Sequence, residues 1–264
     1  MTADAARTAE PTILVEPRDA ALRITLNRPD VLNSVDAAMF TTITTALVDA
    51  ARDSDVRVVV VTGAGRAFCS GADIGAGSDP GGGEDILNAA NRTILAIRAL
   101  EKPVLAAVNG LAAGVGVSLA AACDLAIAAP NAYFLLAFSN IGLMPDGGAT
   151  ALIPAAIGRS RALRMALLAE RVSAADAAQW GLISHIAEGE RFGENVDALV
   201  ARLAAGPPLA YAETKRAINA ATVDHLAAAI DRESMGQDRL VRSSDFREGI
   251  SAFQSKRRPS FGGA

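Results

Sequence analysis

The residue most able to do chemistry is Asp146, set between Pro145 and Gly147-Gly148 at the end of Phe134-Leu-Leu-Ala-Phe138-Ser-Asn-Ile141-Gly-Leu-Met144-Pro-Asp146. A carboxylate flanked by Phe138, Ile141 and Met144 is partly desolvated, which raises its pKa and strengthens it as a general base. The competing role is structural, because aspartate before a helix is a good N-cap. Two glycine-bearing stretches precede it, Phe68-Cys-Ser-Gly71-Ala72-Asp73 and Asn109-Gly110-Leu-Ala-Ala-Gly114-Val115-Gly116-Val-Ser118. Their glycines give the main chain freedom to turn sharply, or let elements pack closely. Neither stretch is a phosphate loop: Gly63-Ala-Gly65-Arg-Ala-Phe68 lacks the third glycine of a dinucleotide fingerprint, and no Gly-Lys-Ser/Thr follows. Ser118 sits in no Gly-x-Ser-x-Gly elbow, so it is not a hydrolase nucleophile.

Taken together and in order, these stretches resemble the crotonase (enoyl-CoA hydratase/isomerase) superfamily over roughly residues 12–260. The resemblance implies an α/β fold, a spiral of ββα turns followed by a C-terminal helical region that packs in trimers. It implies that the backbone N–H groups of Ala72 and Val115 hold a thioester oxygen, with Gly71 and Gly114 supplying the turns. A helix N-terminus adds its positive end at Val115. In the hydratases of that family, glutamates stand where this chain has Ser118 and Phe138. Both are missing here, while Asp146 aligns with the acid of 3-enoyl-CoA isomerases. The run up to Asp146 is especially similar to the ring-opening 1,2-epoxyphenylacetyl-CoA isomerases. Water addition wants two carboxylates; moving a proton between two carbons needs one. The resemblance therefore points to an acyl-CoA double-bond isomerase with Asp146 as proton shuttle. Enoyl-CoA hydratase is the first alternative and a non-catalytic acyl-CoA-binding protein the second.

The substrate pocket implied in this way contains Ser118, Phe138, Gly71, Gly114 and Ile74, although Ser118 serves equally as a small residue permitting helix packing. Coenzyme A would lie along the backbone of Asn27–Val35, at Asn33, Ser34 and Val35, and reach Phe253 and Lys256 near the C-terminus. Lys256-Arg-Arg258 also suits a basic helix end complementing the dipole. The CoA thioester is the substrate, so no cofactor and no metal are expected, and the assembly expected is a homotrimer or dimer of trimers.

The elements that must position these groups are legible in outline. Thr12–Glu16 and Ala21–Leu26 alternate as antiparallel strands, joined by a turn at Pro17-Arg-Asp19. Asp36 caps a helix carrying Met39, Phe40, Ile43, Leu47 and Ala50 at the helical period. Arg57–Thr62 is a buried strand, residues 74–83 a flexible loop, Glu84–Leu100 a helix and Val104–Val108 a strand. A small-residue helix spans 114–122, and Asp124–Ala128 is a strand. Strand and helix in alternation predict a mostly parallel sheet. From about residue 159 the chain is helical. Ser173-Ala-Ala-Asp176 is a capping box, Gly181 a C′ residue and Pro207-Pro208 a helix start. Two further helices follow, Val223–Val241 and Asp245–Lys256. This divides the chain into a loose tail at 1–11, a core at 12–205 and a helical region at 206–264.

With 264 residues, 51% hydrophobic and 20% charged, the chain has the composition of a soluble domain with a sizeable core. A net charge of −4 gives no case for nucleic acid or an acidic membrane surface. No apolar run reaches the roughly 18 residues a membrane span needs. The acid-bearing start is no secretory signal, and a cytoplasmic enzyme is expected. Cys69 and Cys123 have no metal spacing and read as reduced and buried. Asp73 and Asp124 suit electrostatic or capping roles, Trp180 a core or interface, and neither His185 nor His225 is expected to act in catalysis.

Overall fold

A computed structural model describes residues 10–74 and 82–264. The expected tail therefore lies largely, and the loop at 74–83 mostly, outside the described residues. Strands β1 (Ile13–Arg18) and β2 (Ala21–Leu26) form an antiparallel hairpin. Its turn is tighter than Pro17-Arg-Asp19: Pro17 pairs with Leu22 inside the strand, and Asp19 turns the chain at φ +53°. Proline is tolerated there because β1 is the edge strand.

Helix α1 (Ala37–Arg52) begins where Asp36 accepts a 2.8 Å bond from the Met39 N–H, and it buries the expected stripe. Strands β3 (Val58–Gly63), β5 (Val104–Val108) and β7 (Leu125–Ala128) continue the sheet from β2 in parallel. Each is followed by a short strand that turns into a second sheet: β4 (Ala67–Cys69), β6 (Leu111–Ala113) and β8 (Tyr133–Leu135). Helices α2 (Gly82–Ala99) and α3 (Val115–Ala122) then return the chain. Repetition of strand, short strand and helix makes the spiral of ββα turns. Asn109 stitches neighbouring turns together, donating to the Gly65 and Ala67 carbonyls at 2.8 and 3.1 Å and accepting from the Gly63 N–H. Strands β9 (Val172–Ser173) and β10 (His185–Ile186) complete the two sheets.

The helical part runs through α4 (Ala149–Ile157), α5 (Arg159–Leu168), α6 (Ala174–Trp180), α7 (Phe192–Ala204), α8 (Pro208–Val223), α9 (Leu226–Leu240) and α10 (Ser244–Gln254). Ser173 caps α6 through the Asp176 N–H, Gly181 closes it at φ +87°, and Pro208 opens α8. Trp180 is half-buried beneath Arg161 and Arg164, whose guanidinium carbons lie 5.3 and 5.7 Å from its ring centre. No helix among the described residues is long and apolar enough to cross a membrane.

A largely buried ion pair ties α8 to the spiral. Lys215 Nζ lies 2.7 Å from Asp124 Oδ2 and donates to the Ile97 carbonyl at 2.9 Å, while the same Asp124 oxygen accepts from the Val104 N–H. Burial pushes the Asp124 pKa up and the Lys215 pKa down, with each partner acting against that shift. Desolvation thus outweighs attraction, so the pair adds little net stability, but losing one partner strands the other charge. Lys215→Met is expected to cost about 3 kcal/mol in urea unfolding, and an unchanged midpoint would show that Asp124 finds water instead.

Candidate active site

The two glycine-bearing turns meet. Gly71 has φ +104° and Gly114 has φ +53° with ψ −127°, conformations that L side chains rarely adopt. A β-carbon on Gly71 would lie 3.8 Å from the Gly114 Cα, and one on Gly114 would lie 3.7 Å from the Gly71 Cα. The next residues in the chain are Ala72 and Val115. Ala72 sits in a single bridge to Val35, whose N–H and C=O bond to Gly71 O and Asp73 N, each at 2.9 Å. That bridge leaves the Ala72 N–H without an acceptor among the described residues. Val115 opens α3, and its N–H is likewise unpaired there. Two free main-chain donors therefore leave adjacent turns, one of them at a helix N-terminus.

Asp146 is brought to the same place by α3. Ser118, one turn beyond Val115, is fully buried, and its hydroxyl donates 2.7 Å to the Asp146 carbonyl oxygen. The next residue, Gly147, packs so closely that a β-carbon there would be 3.3 Å from Val115 Cγ2. Ser118 is thus not a pocket surface. Its hydroxyl proton is committed to the loop that carries the acid.

Asp146 is not a helix cap either: Gly148 holds the N-cap position of α4. The donors at that terminus go to Glu233 of α9 instead, with Gly148 N–H at 2.7 Å, Thr150 N–H at 2.8 Å and the Thr150 hydroxyl at 2.5 Å. Among the described residues the Asp146 carboxylate accepts one hydrogen bond, from Gln237 Nε2 to Oδ2 at 2.7 Å. Its side chain keeps some solvent contact, yet burial pushes its pKa up to about 7. The Gln237 bond works against that rise and the nearby Glu233 charge adds to it. Behind Pro145 a cavity of about 240 Å³ is lined by Leu136, Ala149, Ile153, Ala162 and Leu163, so the loop has apolar surroundings on that side too.

The remaining expected residues divide. Phe138 is buried, with its ring tip 3.9 Å from a β-carbon built on Gly114, so it packs against that turn. Ile74 is half-buried at the edge of the described residues. Asn33 is fully buried, its amide donating to the Ala64 and Ala67 carbonyls and accepting from the Arg28 N–H. With the Val35 side chain buried and its main chain engaged in the bridge, the Asn33 and Val35 side chains hold the turn itself. Ser34 is also largely buried, and its carbonyl accepts from Arg28 Nη1. Arg28 further pairs with Asp73 at 2.8 Å, tying this turn to the residue after Ala72. Phe253 and Lys256 are exposed at the end of α10, with no hydrogen bond to Asn33–Val35 among the described residues. His185 and His225 are exposed, on β10 and before α9. Burial raises both cysteine thiols, Cys69 to about 12, which leaves them unreactive. Among the described residues, no group of three His, Cys, Asp or Glu is placed to hold a metal ion.

Residues 16–264 match the family model for enoyl-CoA hydratase/isomerase. The chain belongs to this family. A probable enoyl-CoA hydratase of Rhodobacter capsulatus is 44% identical over 254 residues, covering 96% of this chain and 98% of the relative. The 1,2-epoxyphenylacetyl-CoA isomerase of Escherichia coli is 39% identical over 257 residues, covering 95% and 98%. Among solved structures, an enoyl-CoA hydratase from Mycobacterium avium subsp. paratuberculosis superposes with a TM-score of 0.90 at 49% identity, covering 96% of this chain and 99% of that one.

Glu233 and Gln237 carry no signal in the sequence: each is one polar residue among many on a helix more than 80 positions from Asp146. Glu233→Gln is expected to cost about 2 kcal/mol in stability, because an amide cannot accept all three donors at once. Chemical unfolding of the variant measures this, and a loss below about 0.5 kcal/mol would show that water replaces the carboxylate.

Proposed function

We propose that this family member is an acyl-CoA isomerase that shifts a double bond from the 3,4 to the trans-2,3 position of a coenzyme A thioester, or performs a related isomerisation of a ring-acyl-CoA. The observation that carries this reading is the Asp146 carboxylate, raised to about 7 by burial, on a loop that Ser118 ties to α3, the helix whose first N–H is unpaired among the described residues. Glu233 is the other acid nearby, and its oxygens are committed to the start of α4. The thioester oxygen accepts from the Ala72 and Val115 N–H groups. Asp146 takes the proton from C2: the C–H bond breaks, an O–H bond forms, and the electron pair spreads over C2 to C4 and the thioester oxygen. The same O–H then breaks to form the new C4–H bond. No water or cofactor is consumed, and coenzyme A enters only as part of the substrate. Two donors aimed at developing charge contribute roughly 2.7–4 kcal/mol each, and the base about 10²–10⁴-fold. The acyl-CoA is bound in a cytoplasmic homotrimer or dimer of trimers.

A hydratase reading is favoured by the relative that is 44% identical and bears that name. Purified protein offered 3-enoyl-CoA and crotonyl-CoA in parallel separates the two. Rapid formation of trans-2-enoyl-CoA with slow or no 3-hydroxyacyl-CoA is the expected result. Faster hydration would replace the isomerase reading, and binding without turnover of either ester would leave an acyl-CoA holder.

A further inference from the structure

Helix α9 reaches Asp146 through one residue. At Gly236 it passes so close to Met144 that any side chain would overlap the Met144 sulfur. This approach puts the Gln237 amide between two oxygens: Nε2 donates to the Met144 carbonyl at 2.9 Å and to Asp146 Oδ2 at 2.7 Å. An amide NH2 has two hydrogens, and each has an acceptor. Rotating the amide by half a turn would set its carbonyl against the Met144 carbonyl, two acceptors facing each other. The orientation is therefore fixed, whatever the protonation state of Asp146. Gln237 Oε1, on the other side, is buried and finds no donor among the described residues. A buried carbonyl without a partner is unfavourable, so stability alone does not explain why an amide stands there.

We infer that Gln237 is a positioning residue for Asp146: its locked NH2 group keeps Oδ2 an acceptor and leaves Oδ1 as the oxygen that takes and returns the substrate proton. This rests on the reading of Asp146 as the base. A proton on Oδ2 would confront the Gln237 hydrogens, whereas Oδ1 has no hydrogen-bond partner among the described residues. The amide also favours the ionised carboxylate, the form a base needs. Among the described residues, the charged group acting on this carboxylate is Glu233, one turn earlier on α9. Ser118, Val115 and Met144, which pack from the other elements, are uncharged.

The test measures isomerisation of 3-enoyl-CoA across pH for wild type, Gln237→Met and Asp146→Asn, with thermal unfolding to confirm that each variant is folded. Methionine keeps the length and removes the donor. In Gln237→Met the acid limb of kcat/KM is expected to move up by roughly one pH unit. Activity should fall about fivefold at pH 7, about tenfold at pH 6, and recover at higher pH, with KM changed less than about twofold. A merely structural role would lower activity by the same factor at every pH, and that result overturns the inference. If Gln237→Met does not fold, Gln237→Leu, which also removes the donor without adding a charge, decides, and an unmoved limb refutes the positioning role. Loss of turnover in Asp146→Asn beside an unmoved limb rejects Gln237 alone. Full turnover in Asp146→Asn rejects the base itself, and this inference with it.

Discussion

Asp146→Asn is expected to lower kcat for 3-enoyl-CoA isomerisation by about 10²–10⁴-fold while leaving acyl-CoA affinity within about twofold. Asparagine keeps the size of the side chain and still accepts from Gln237 Nε2, so the loop held by Ser118 should not move. What disappears is the group that accepts and returns the proton. Turnover and isothermal binding of a saturated acyl-CoA separate the two effects, and turnover within a factor of a few of wild type would remove Asp146 from the mechanism. The same variant should be more stable than wild type, but only on the alkaline side. The Asp146 pKa is raised from 3.8 to about 7 on folding. Below about 4 the carboxyl is protonated in both the folded and unfolded chain. As pH rises towards 7 the unfolded chain releases the proton first, and folding becomes progressively less favourable. The full shift corresponds to ~4 kcal/mol, and the solvent contact Asp146 retains reduces this to about 2 kcal/mol. Asp146→Asn should therefore gain about 2 kcal/mol at pH 8 and little near pH 4. A uniform change in urea stability across that range would contradict the buried-carboxylate account.

Gly71→Val is expected to reduce kcat about 10²–10³-fold, the effect of losing one oxyanion donor. At φ +104° a β-branched residue is strained, and its β-carbon would come within 3.2 Å of the Ala113 carbonyl oxygen. The turn would relieve this by rotating, carrying the Ala72 N–H away from the Val115 N–H. Stability should fall as well, by about 1–3 kcal/mol, so activity must be read on folded protein. A folded Gly71→Val with wild-type kcat would show that the Ala72 amide does not hold the thioester oxygen.

Much of the frame was readable because it rests on local signals. Asp36, Ser173 and Pro208 mark helix starts by capping chemistry or fixed φ, and β3 and β5 are short β-branched or apolar runs with punctuation on both sides. The second sheet was not readable. Strands β4, β6 and β8 are three residues each, too short for any alternation, and they pair only because the first sheet brings them into line. The hairpin turn was misplaced because Pro17, a turn former by habit, is compatible with an edge strand.

At the site, the legible part was main-chain chemistry. Gly71 and Gly114 advertise turns, and the residues after them inherit the free N–H groups. Asp146 stood out as an acid in apolar company, but its freedom from capping could not be foreseen, since Glu233 takes over that duty from a distant helix. The same distance hid Gln237. Ser118 was ambiguous for a simpler reason: a small hydroxyl on a buried helix face can meet a substrate or a neighbouring loop, and only the position of the Asp146 carbonyl decides between them.

The most direct measurement is the pH dependence of kcat/KM for conversion of 3-enoyl-CoA to trans-2-enoyl-CoA by the wild-type protein, from about pH 5 to about pH 9. A base titrating at about 7 predicts a half-maximal value near that pH and a tenfold fall for each unit below it. A rate that stays flat down to about pH 5, as an ordinary solvated carboxylate would give, or the absence of the 2-enoyl product, would contradict a desolvated Asp146 working as the proton carrier.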